Sequence, residues 1–383
     1  MPRTQIQERS RNRARLLEAL HFQGPLTRSQ LSKRCGIRQT SVGSIAQELL
    51  NAGLVREASE SGRIRAPLAL DPERRFVVAL ELTPTEVRGA RVHLDGALQH
   101  AVSRPLKESG LKAAVAAAAA VARRVTGREP DAVLATVLAV TGMVDEPRGV
   151  VVRSARLWQW QDVALGDALK TVLGHRVRIV NDTFAQLWDG AWFGREFAHT
   201  TGMLYLGIGE GLSCALLVHG RPVTGLGSAA GEIGHVRAGD ESRLCRCGRQ
   251  DCLETYASAP AILAEMTKTL PAAKKWTSLA QAADAAERLP PVMAVIDRVA
   301  ARLARQLAPV LAALAPEKVL VGCTDPRFGA RLADRIQHHI GSELLGVPSA
   351  AAIFSATGPL AAATLRGAGA RSLAEFFRNG VLD

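Results

Sequence analysis

Aromatic residues are scarce in this chain of 383 residues, where Phe, Trp and Tyr together make up 4% and only two residues are Tyr. Long apolar runs are also absent. The longest, residues 113–122 and 132–144, fall well short of the roughly 20 residues that a membrane-spanning helix requires. The N-terminus does not resemble a secretory signal. These absences argue against a membrane protein, and we expect a cytoplasmic one.

The composition instead describes a globular protein rich in Ala, Val and Leu, with 47% hydrophobic residues and a length that suits two or three domains. Its net charge of +12 is unevenly placed. The first 70 residues contain 12 Lys/Arg and 5 Asp/Glu, whereas the remaining 313 share a charge of only +5. Positive charge at one end of a chain is typical of a nucleic-acid-binding domain, although a soluble basic surface would show the same charge.

Three helices are predicted within this basic region. The first covers residues 11–21, the second follows an N-cap at Thr27 and stops at Gly36, and the third covers 38–51 and is closed by Gly53. The apolar residues of the third helix have the spacing of one helix face: Val42, Ile45, Ala46, Leu49 and Leu50. Short strands at 54–57 and 66–70 would bracket a basic loop. Together, the three helices, the two short strands and the basic loop predict a winged helix-turn-helix domain over residues 1–72.

The third helix has short polar side chains near its start, which suits insertion into the major groove of DNA. The loop between the two strands would form the wing and contact the DNA backbone or a groove wall. The predicted DNA-contacting residues are Arg38, Gln39, Thr40, Ser41, Ser44, Arg63 and Arg65. The alternatives are a three-helix oligomerisation module and a polar helix face that contacts only solvent.

From residue 76 onward, strands and helices alternate, and a pair of strands followed by helices occurs twice. The predicted elements are strands 76–82 and 87–92, helix 111–125, strand 132–140, helix 165–173, strand 177–180, strands 203–208 and 213–218, helix 292–314 and strand 318–321. This pattern predicts two related α/β lobes with a cleft between them. Asn181 and Asp182 follow a strand, at the position where α/β folds gather ligand-binding groups.

Three of the six cysteines lie within eight residues. Cys245, Cys247 and Cys252 form a C-x-C-x4-C array, and His235 lies ten positions upstream. Three thiolates and one imidazole suit a closed tetrahedral zinc site, which is usually structural. Disulfides or inert buried thiols are the alternatives, although a Cys245–Cys247 bridge would close a short, strained ring. The other cysteines lie singly in apolar surroundings and are predicted to be small core residues: Cys35, Cys214 and Cys323.

Several motifs together resemble the ROK family, which is named for repressors, open reading frames and sugar kinases. The matching stretches are Val180-Asn181-Asp182, Gly207-Ile208-Gly209-Glu210-Gly211, Gly231-Glu232-Ile233-Gly234-His235 and the array from Cys245 to Glu254. The N-terminal winged helix is similar to that of the family's repressor branch. The resemblance implies a two-lobed α/β actin-like fold of the sugar kinase/ribonuclease H-like kind over residues 73–383. Lobe one would cover about 73–190 plus the C-terminal helices, and lobe two about 191–350.

The resemblance also implies a sugar in the cleft. By position, the residues that would hold the sugar hydroxyls are Asn181, Asp182, Glu232, His235 and Glu254. The zinc ligands would be His235, Cys245, Cys247 and Cys252. Zinc would then orient His235 directly and Glu254 through its neighbour Cys252.

Three elements that bind nucleotide in the family's kinases differ in this chain. The kinases have a D-x-G-G-T turn, and here the stretch Glu81-Leu82-Thr83-Pro84-Thr85 has neither glycine. The second phosphate loop, G-T-G-x-G-x-G in the kinases, has Leu206 at its hydroxyl position and a carboxylate at Glu210. Gly322-Cys323 replaces a glycine pair near the adenosine side. These departures predict that the chain is not an enzyme, and that Asp182, the general base of the kinases, remains as a hydrogen-bond acceptor.

The combined hypothesis is a sugar-responsive transcriptional regulator, most simply a repressor of genes for carbohydrate uptake or degradation. Its partners would be operator DNA and a sugar or sugar-derivative effector, and it would act as a homodimer or homotetramer because helix-turn-helix proteins bind paired half-sites. The alternatives are an ATP-dependent sugar kinase that retains a DNA-binding domain and a regulator that responds to zinc itself.

Overall fold

The computed structural model describes residues 3–58, 66–194, 200–344 and 354–379. The N-terminal part consists of α1 (Arg3–Gln23), α2 (Arg28–Cys35), α3 (Gln39–Asn51), β1 (Val55–Glu57) and β2 (Leu68–Leu70). The two strands pair antiparallel. This is the predicted order of elements, although α1 begins at residue 3 rather than 11. The wing segment 59–65, with Arg63 and Arg65, lies outside the described residues.

Local hydrogen bonds explain why α2 begins and ends where it does. The Thr27 hydroxyl accepts from the backbone N–H of Gln30 at 3.2 Å, and the Gln30 side chain accepts from the backbone N–H of Thr27 at 2.8 Å. This reciprocal capping satisfies two amides that the first turn leaves free. Gly36 ends the helix with φ of 65°, a left-handed conformation that favours glycine. The chain then turns directly into α3.

A leucine-rich core holds these three helices together. Its largest buried members include Leu16, Leu17, Leu31, Ile45, Leu49 and Leu68. Each buried side chain of this size stabilises the fold by about 1.5–3 kcal/mol. Cys35 packs against this core but is only half-buried, so the prediction of a core residue is confirmed only in part; it ends α2, and its thiol contacts the carbonyl of Arg15 at 3.5 Å. Cys214 and Cys323 are buried, as predicted.

The rest of the chain forms two α/β lobes. The elements of the first are β3 (Phe76–Leu82), β4 (Glu86–His93), β5 (Leu98–Pro105), α4 (Leu111–Thr126), β6 (Val133–Val140), β7 (Met143–Asp145), β8 (Val150–Ser154), β9 (Trp160–Val163), α5 (Leu165–Leu173), β10 (Val177–Asn181) and α6 (Asp182–Phe193). Those that follow are β11 (Met203–Ile208), β12 (Leu212–Val218), β13 (Arg221–Pro222), α7 (Glu254–Ala257), α8 (Ala259–Thr269), α9 (Leu279–Ala286), α10 (Pro290–Leu314), β14 (Lys318–Cys323), α11 (Pro326–Glu343), β15 (Phe354–Ala356) and α12 (Leu360–Asn379).

The two central sheets have the same topology. The first has strand order β10-β6-β3-β4-β5 and the second has order β15-β14-β11-β12-β13. In each sheet the first strand of the lobe pairs antiparallel with the second and parallel with a later strand that follows a helix. The sequence prediction of two related lobes is therefore confirmed.

Two parts of lobe one were not predicted. The edge strand β5 has mostly exposed or half-buried side chains, so it lacks the alternation that marks a strand with one buried face. The three-stranded sheet β7-β8-β9 is built from strands of three to five residues, which are too short to show a period. Their strands are held by pairing with neighbouring strands, β5 with β4 and β8 with β7 and β9, and not by a local sequence pattern.

Helices α6 and α12 pack against each other, and each also contacts other elements of the fold. Helix α6 contacts β11 and β12 of the second lobe, whereas α12 returns to lie on β3 and β6 of the first and also contacts α1. Among the described residues no helix combines the length and the apolar character needed to cross a membrane.

Candidate functional site

The first wall of the cleft is the junction of β10 with α6. Asn181 caps α6, because its Oδ1 accepts from the backbone N–H of Phe184 at 2.9 Å, and its Nδ2 donates to the carbonyl of Gly142 at 2.8 Å. Asp182 accepts from the backbone N–H of Thr183 at 2.8 Å. Burial raises the pKa of Asp182 to about 6, although the Thr183 amide and the charge of Arg156 favour its ionised form.

The second wall is a glycine-rich loop that lies against β12. Gly231 has φ of 90° and its α-carbon faces the Cys214 carbonyl so closely that a side chain would clash, and Gly234 faces the Leu212 carbonyl in the same way. The chain can therefore run beside β12 and turn through Ile233–His235. This places Glu232 opposite Asn181, and both line one pocket with Thr183 and Ser213.

Further carboxylates lie near this pocket, but of the predicted sugar-binding residues only Asn181 and Glu232 line it, and Asp182, His235 and Glu254 do not. Burial raises the pKa of Glu232, and the neighbouring charge of Glu254 acts in the same direction. Glu254 begins α7, and its Oε2 accepts from the backbone N–H of Leu212 at 3.0 Å. Glu232 in turn raises the pKa of Asp182. Such a set of carboxylates and an amide can accept and donate hydrogen bonds to a polyol.

The Cys/His cluster lies directly behind the second wall. The ligand atoms of His235, Cys245, Cys247 and Cys252 all lie within 4.8 Å of one another. The distances are 3.6 Å from Cys245 Sγ to His235 Nδ1 and 3.6 Å from Cys247 Sγ to Cys252 Sγ. Zinc bonds of about 2.3 Å to sulfur and 2.0–2.1 Å to nitrogen give tetrahedral edges of about 3.5–3.8 Å. The four residues therefore fit a tetrahedral metal ion, and the sulfurs of this array stand too far apart for a disulfide.

The two ring nitrogens of His235 point to different neighbours, one to the cysteine cluster and one to the pocket. Its Nδ1 faces Cys245, whereas its Nε2 lies 3.7 Å from Glu232 Oε2 at the pocket. Backbone bonds from Ala238 to Asp251 and from Leu253 to Val236 tie the two arms of the cluster together, with Glu254 immediately following. One histidine can thus join the metal ligands to the pocket.

A further charged residue, Arg156, faces the same cleft and was missed by the sequence analysis. It lies between β8 and β9, and its Nη2 is 3.9 Å from Glu210 Oε2 on the opposite lobe. It also acts on the charge of Asp182. No motif marks it in the sequence, because its position depends on the short sheet β7-β8-β9.

The structure places most of the predicted DNA-contacting residues on one surface. Arg38, Gln39, Thr40 and Ser44 are exposed and Ser41 is half-buried. The Ser44 hydroxyl accepts from Arg9 Nη2 at 2.8 Å.

A groove beside α3 was not predicted. Its lining includes Glu8 and three exposed arginines, Arg11 and Arg15 of α1 and Arg38 at the start of α3. None of the three arginines forms an ion pair with a carboxylate in the described part of the chain. Sequence reasoning assigned the N-terminal arginines no role, because it could not place α1 beside the start of α3.

Comparison with known families identifies the fold. The model of the ROK family matches residues 77–374. The chain belongs to the ROK family. A model of the MarR family matches residues 9–64, which cover most of α1 and all of α2 and α3. The winged helix-turn-helix followed by an actin-like, two-lobed domain is thereby confirmed.

Both repressors and sugar kinases are among the curated proteins to which the chain is similar. The xylose repressor of Caldicellulosiruptor bescii is 24% identical over 251 residues, which span 63% of this chain and 62% of the repressor. The chain thus aligns with less than two thirds of that relative's length. The glucokinase of Thermotoga maritima is 34% identical over 121 residues, 32% of this chain and 38% of the kinase.

Solved structures support the same fold. A crystal structure of a ROK family transcriptional regulator, described as a homologue of the Escherichia coli Mlc protein, has a TM-score of 0.78 and 21% identity, and the match covers 98% of this chain and 100% of that one. A ROK family glucokinase from Streptomyces griseus, in complex with glucose and AMPPNP, has a TM-score of 0.67 and 21% identity over 77% of this chain and 98% of the kinase.

Proposed function

We propose that this ROK protein is a sugar-responsive, DNA-binding regulator of transcription, and that it represses genes for carbohydrate uptake or degradation. The observation that carries the proposal is the combination in one chain of an exposed polar face on α3 and a pocket that both Asn181 and Glu232 line. A kinase has no need of the first feature. The named repressors among its relatives support the same conclusion.

In this proposal the sugar hydroxyls bind to Asn181, Asp182, Glu232, His235 and Glu254. The metal is a structural zinc ion held by His235 and the three cysteines of the array. When bound, it supplies no chemistry other than holding its ligands in place. The division of the chain at residues 72 and 73 separates the DNA-binding domain from the sugar-binding domain.

The absence of kinase activity is also a proposal, and the packing between β11 and β14 supports it. The Leu360 side chain lies 3.1 Å from where a Cβ of Gly209 would be and 3.0 Å from that of Gly322. Leu360 therefore fills the space between two of the loops that resemble nucleotide-binding elements. Glu210 adds a negative charge beside the same loop, which repels the multiply charged triphosphate of ATP.

We infer that the protein binds operator DNA as a homodimer or homotetramer in the cytoplasm, since helix-turn-helix domains bind half-sites about one helical turn, or a multiple of it, apart. Sugar binding changes DNA affinity only if the sugar binds the DNA-competent and DNA-free conformations with different affinity.

The first experiment is a mobility-shift titration on DNA from upstream of the protein's own coding region, with and without a panel of sugars. We expect a shift that at least one sugar weakens, together with no ATP consumption in the presence of the same sugars. Equal DNA affinity in the presence of a sugar that calorimetry shows to be bound would contradict the proposal. Sugar-dependent ATP consumption would instead favour the kinase.

The groove beside α3 gives a second prediction. Replacing both Arg11 and Arg15 with alanine should weaken binding to any DNA sequence, because exposed arginines that lack carboxylate partners are free to contact phosphates. Each lost phosphate contact should reduce the slope of log K against log salt by roughly 0.9, so the double variant should lose about 1.8. Fluorescence anisotropy on a labelled duplex at several salt concentrations measures this slope.

Arg124→Ala is the matched control, since Arg124 is exposed on α4 in lobe one and its removal changes the net charge far from the groove. Its salt slope should equal that of the unmodified protein. If Arg11→Ala/Arg15→Ala changed affinity for only one operator sequence, or left the slope unchanged, the groove would not be a phosphate-contacting surface.

A further inference from the structure

The Arg156 side chain extends from lobe one into the cleft and comes close to lobe two. Its guanidinium is 3.9 Å from Glu210 Oε2, and its Nη1 would lie 3.5 Å from a Cβ at Gly211. Glu254 Oε2 would lie 2.7 Å from the same Cβ. Arg156 and Glu254 therefore converge on one point of the cleft, at the end where Asp182 lies.

One donor of this guanidinium is buried without a partner. Arg156 donates no side-chain hydrogen bond to any residue that the structure describes, its side chain is only 26% exposed, and its Nε is buried without a partner. Arg366 shows the alternative: it donates two bonds of 2.7 Å to the carboxylate of Asp189. If Arg156 served only to neutralise the carboxylates around it, we would expect similar direct pairing. A buried donor without a partner is costly, and together with the free Nη groups it favours a binding partner from outside the chain.

From this geometry we propose that the effector is an anionic sugar, and that Arg156 binds its phosphate or carboxylate group beside Asp182. The inference rests on the proposed sugar-binding function and names the chemical class of the sugar. Guanidinium matches both anions because its N–H groups form a planar fork that can donate two parallel bonds. A phosphate ester and a sugar acid share this chemistry.

The carboxylates nearby make the site selective for an anion that is attached to a sugar. Asp182, Glu210 and Glu254 lie around Arg156, so a free anion has only its contact with Arg156 to offset their repulsion. An anionic sugar has additional hydroxyls for Asn181 and Glu232. Glu210 is 63% exposed and only loosely paired, so it can turn into solvent when the effector enters. Inorganic phosphate alone should therefore not bind.

Calorimetry on the zinc-loaded, intact chain tests the proposal with matched sets of sugars. Each set contains a neutral hexose, its 6-phosphate and its uronic acid, in the gluco, manno and galacto series, and inorganic phosphate is included separately. In at least one set the anionic member should bind about tenfold or more tightly than the neutral one, because hydrogen bonds between charged groups are roughly twice as strong as those between neutral groups. The phosphate and uronate members identify which anion is recognised.

Two variants then test whether Arg156 and Glu210 cause the preference for the anionic sugar. Arg156→Gln should remove the preference for the anionic sugar and leave DNA binding unchanged, whereas Glu210→Gln should strengthen binding of the anionic sugar severalfold. Retained DNA binding shows that each variant is folded. If a neutral sugar binds as tightly as its anionic partners and weakens DNA binding, the regulator stands and the anionic effector is wrong. If no member binds to a protein that binds DNA, both the sugar function and this inference fail.

Discussion

Replacing Cys247 with serine should remove metal and sugar affinity from the protein together. Cys247 is one of four residues whose ligand atoms lie within 4.8 Å of one another. Without its thiolate the tetrahedral set is incomplete, and the three remaining ligands would hold a zinc ion much more weakly. His235 would then lose the bond that fixes its ring. The backbone bonds that precede Glu254 would lose the metal that connects the two arms.

We expect a fall in sugar affinity of about 10–100-fold, comparable to the loss caused by removing residues that orient a metal's ligands. Zinc content by a colorimetric chelator assay and sugar affinity by calorimetry measure the two effects on the same sample. Cys35→Ser is the matched control, because Cys35 lies on α2 outside the cluster and its variant should keep both zinc and sugar. Unchanged sugar affinity in zinc-free Cys247→Ser would refute the proposal that the metal supports the pocket.

Replacing His21 with alanine should separate sugar binding from its effect on DNA. Helix α6 begins at Asp182 in the cleft, and Trp192 near its other end contacts α1 of the DNA-binding domain. The His21 ring stacks on Trp192 with centroids 4.6 Å apart, and its Nε2 lies 2.8 Å from the Trp192 carbonyl oxygen. We propose that a movement of α6 on sugar binding reaches α1 through this contact.

In His21→Ala, DNA affinity without sugar and sugar affinity without DNA should each stay within about threefold. The change in DNA affinity that the sugar causes should fall about fivefold or more, since coupling free energies are typically 1–3 kcal/mol and an aromatic pair contributes about 0.5–1.5 kcal/mol. Anisotropy titrations of DNA at zero and saturating sugar give both quantities.

His338→Ala provides the comparison, because His338 is exposed on α11 in lobe two. It should leave the sugar-induced change at the level of the unmodified protein. Full coupling in His21→Ala would show that the signal reaches α1 by another contact, for which the packing of α12 on α1 is the obvious route.

Much of the fold could be predicted because its signals are local. The N-cap at Thr27, the left-handed glycine at Gly36 and the apolar face of α3 each depend on a few neighbouring residues. Helix α5 was predicted with its observed bounds, Leu165–Leu173, since its apolar face and terminal glycine are close in sequence. Strand β5 failed the same reasoning because its side chains are mostly exposed, and its position is fixed by pairing with β4.

The sequence by itself determined which residues form the Cys/His cluster that can hold a metal ion, because the C-x-C-x4-C spacing and the histidine upstream are local features of one segment. It also determined the basic N-terminal domain and the repeated order of strands in the two lobes. Tertiary structure decided which charges meet. Arg156 reaches Glu210 across 54 residues of chain, and α6 joins Asp182 to the neighbourhood of His21. Such contacts arise from how separate elements pack, and no local pattern of residue types records them.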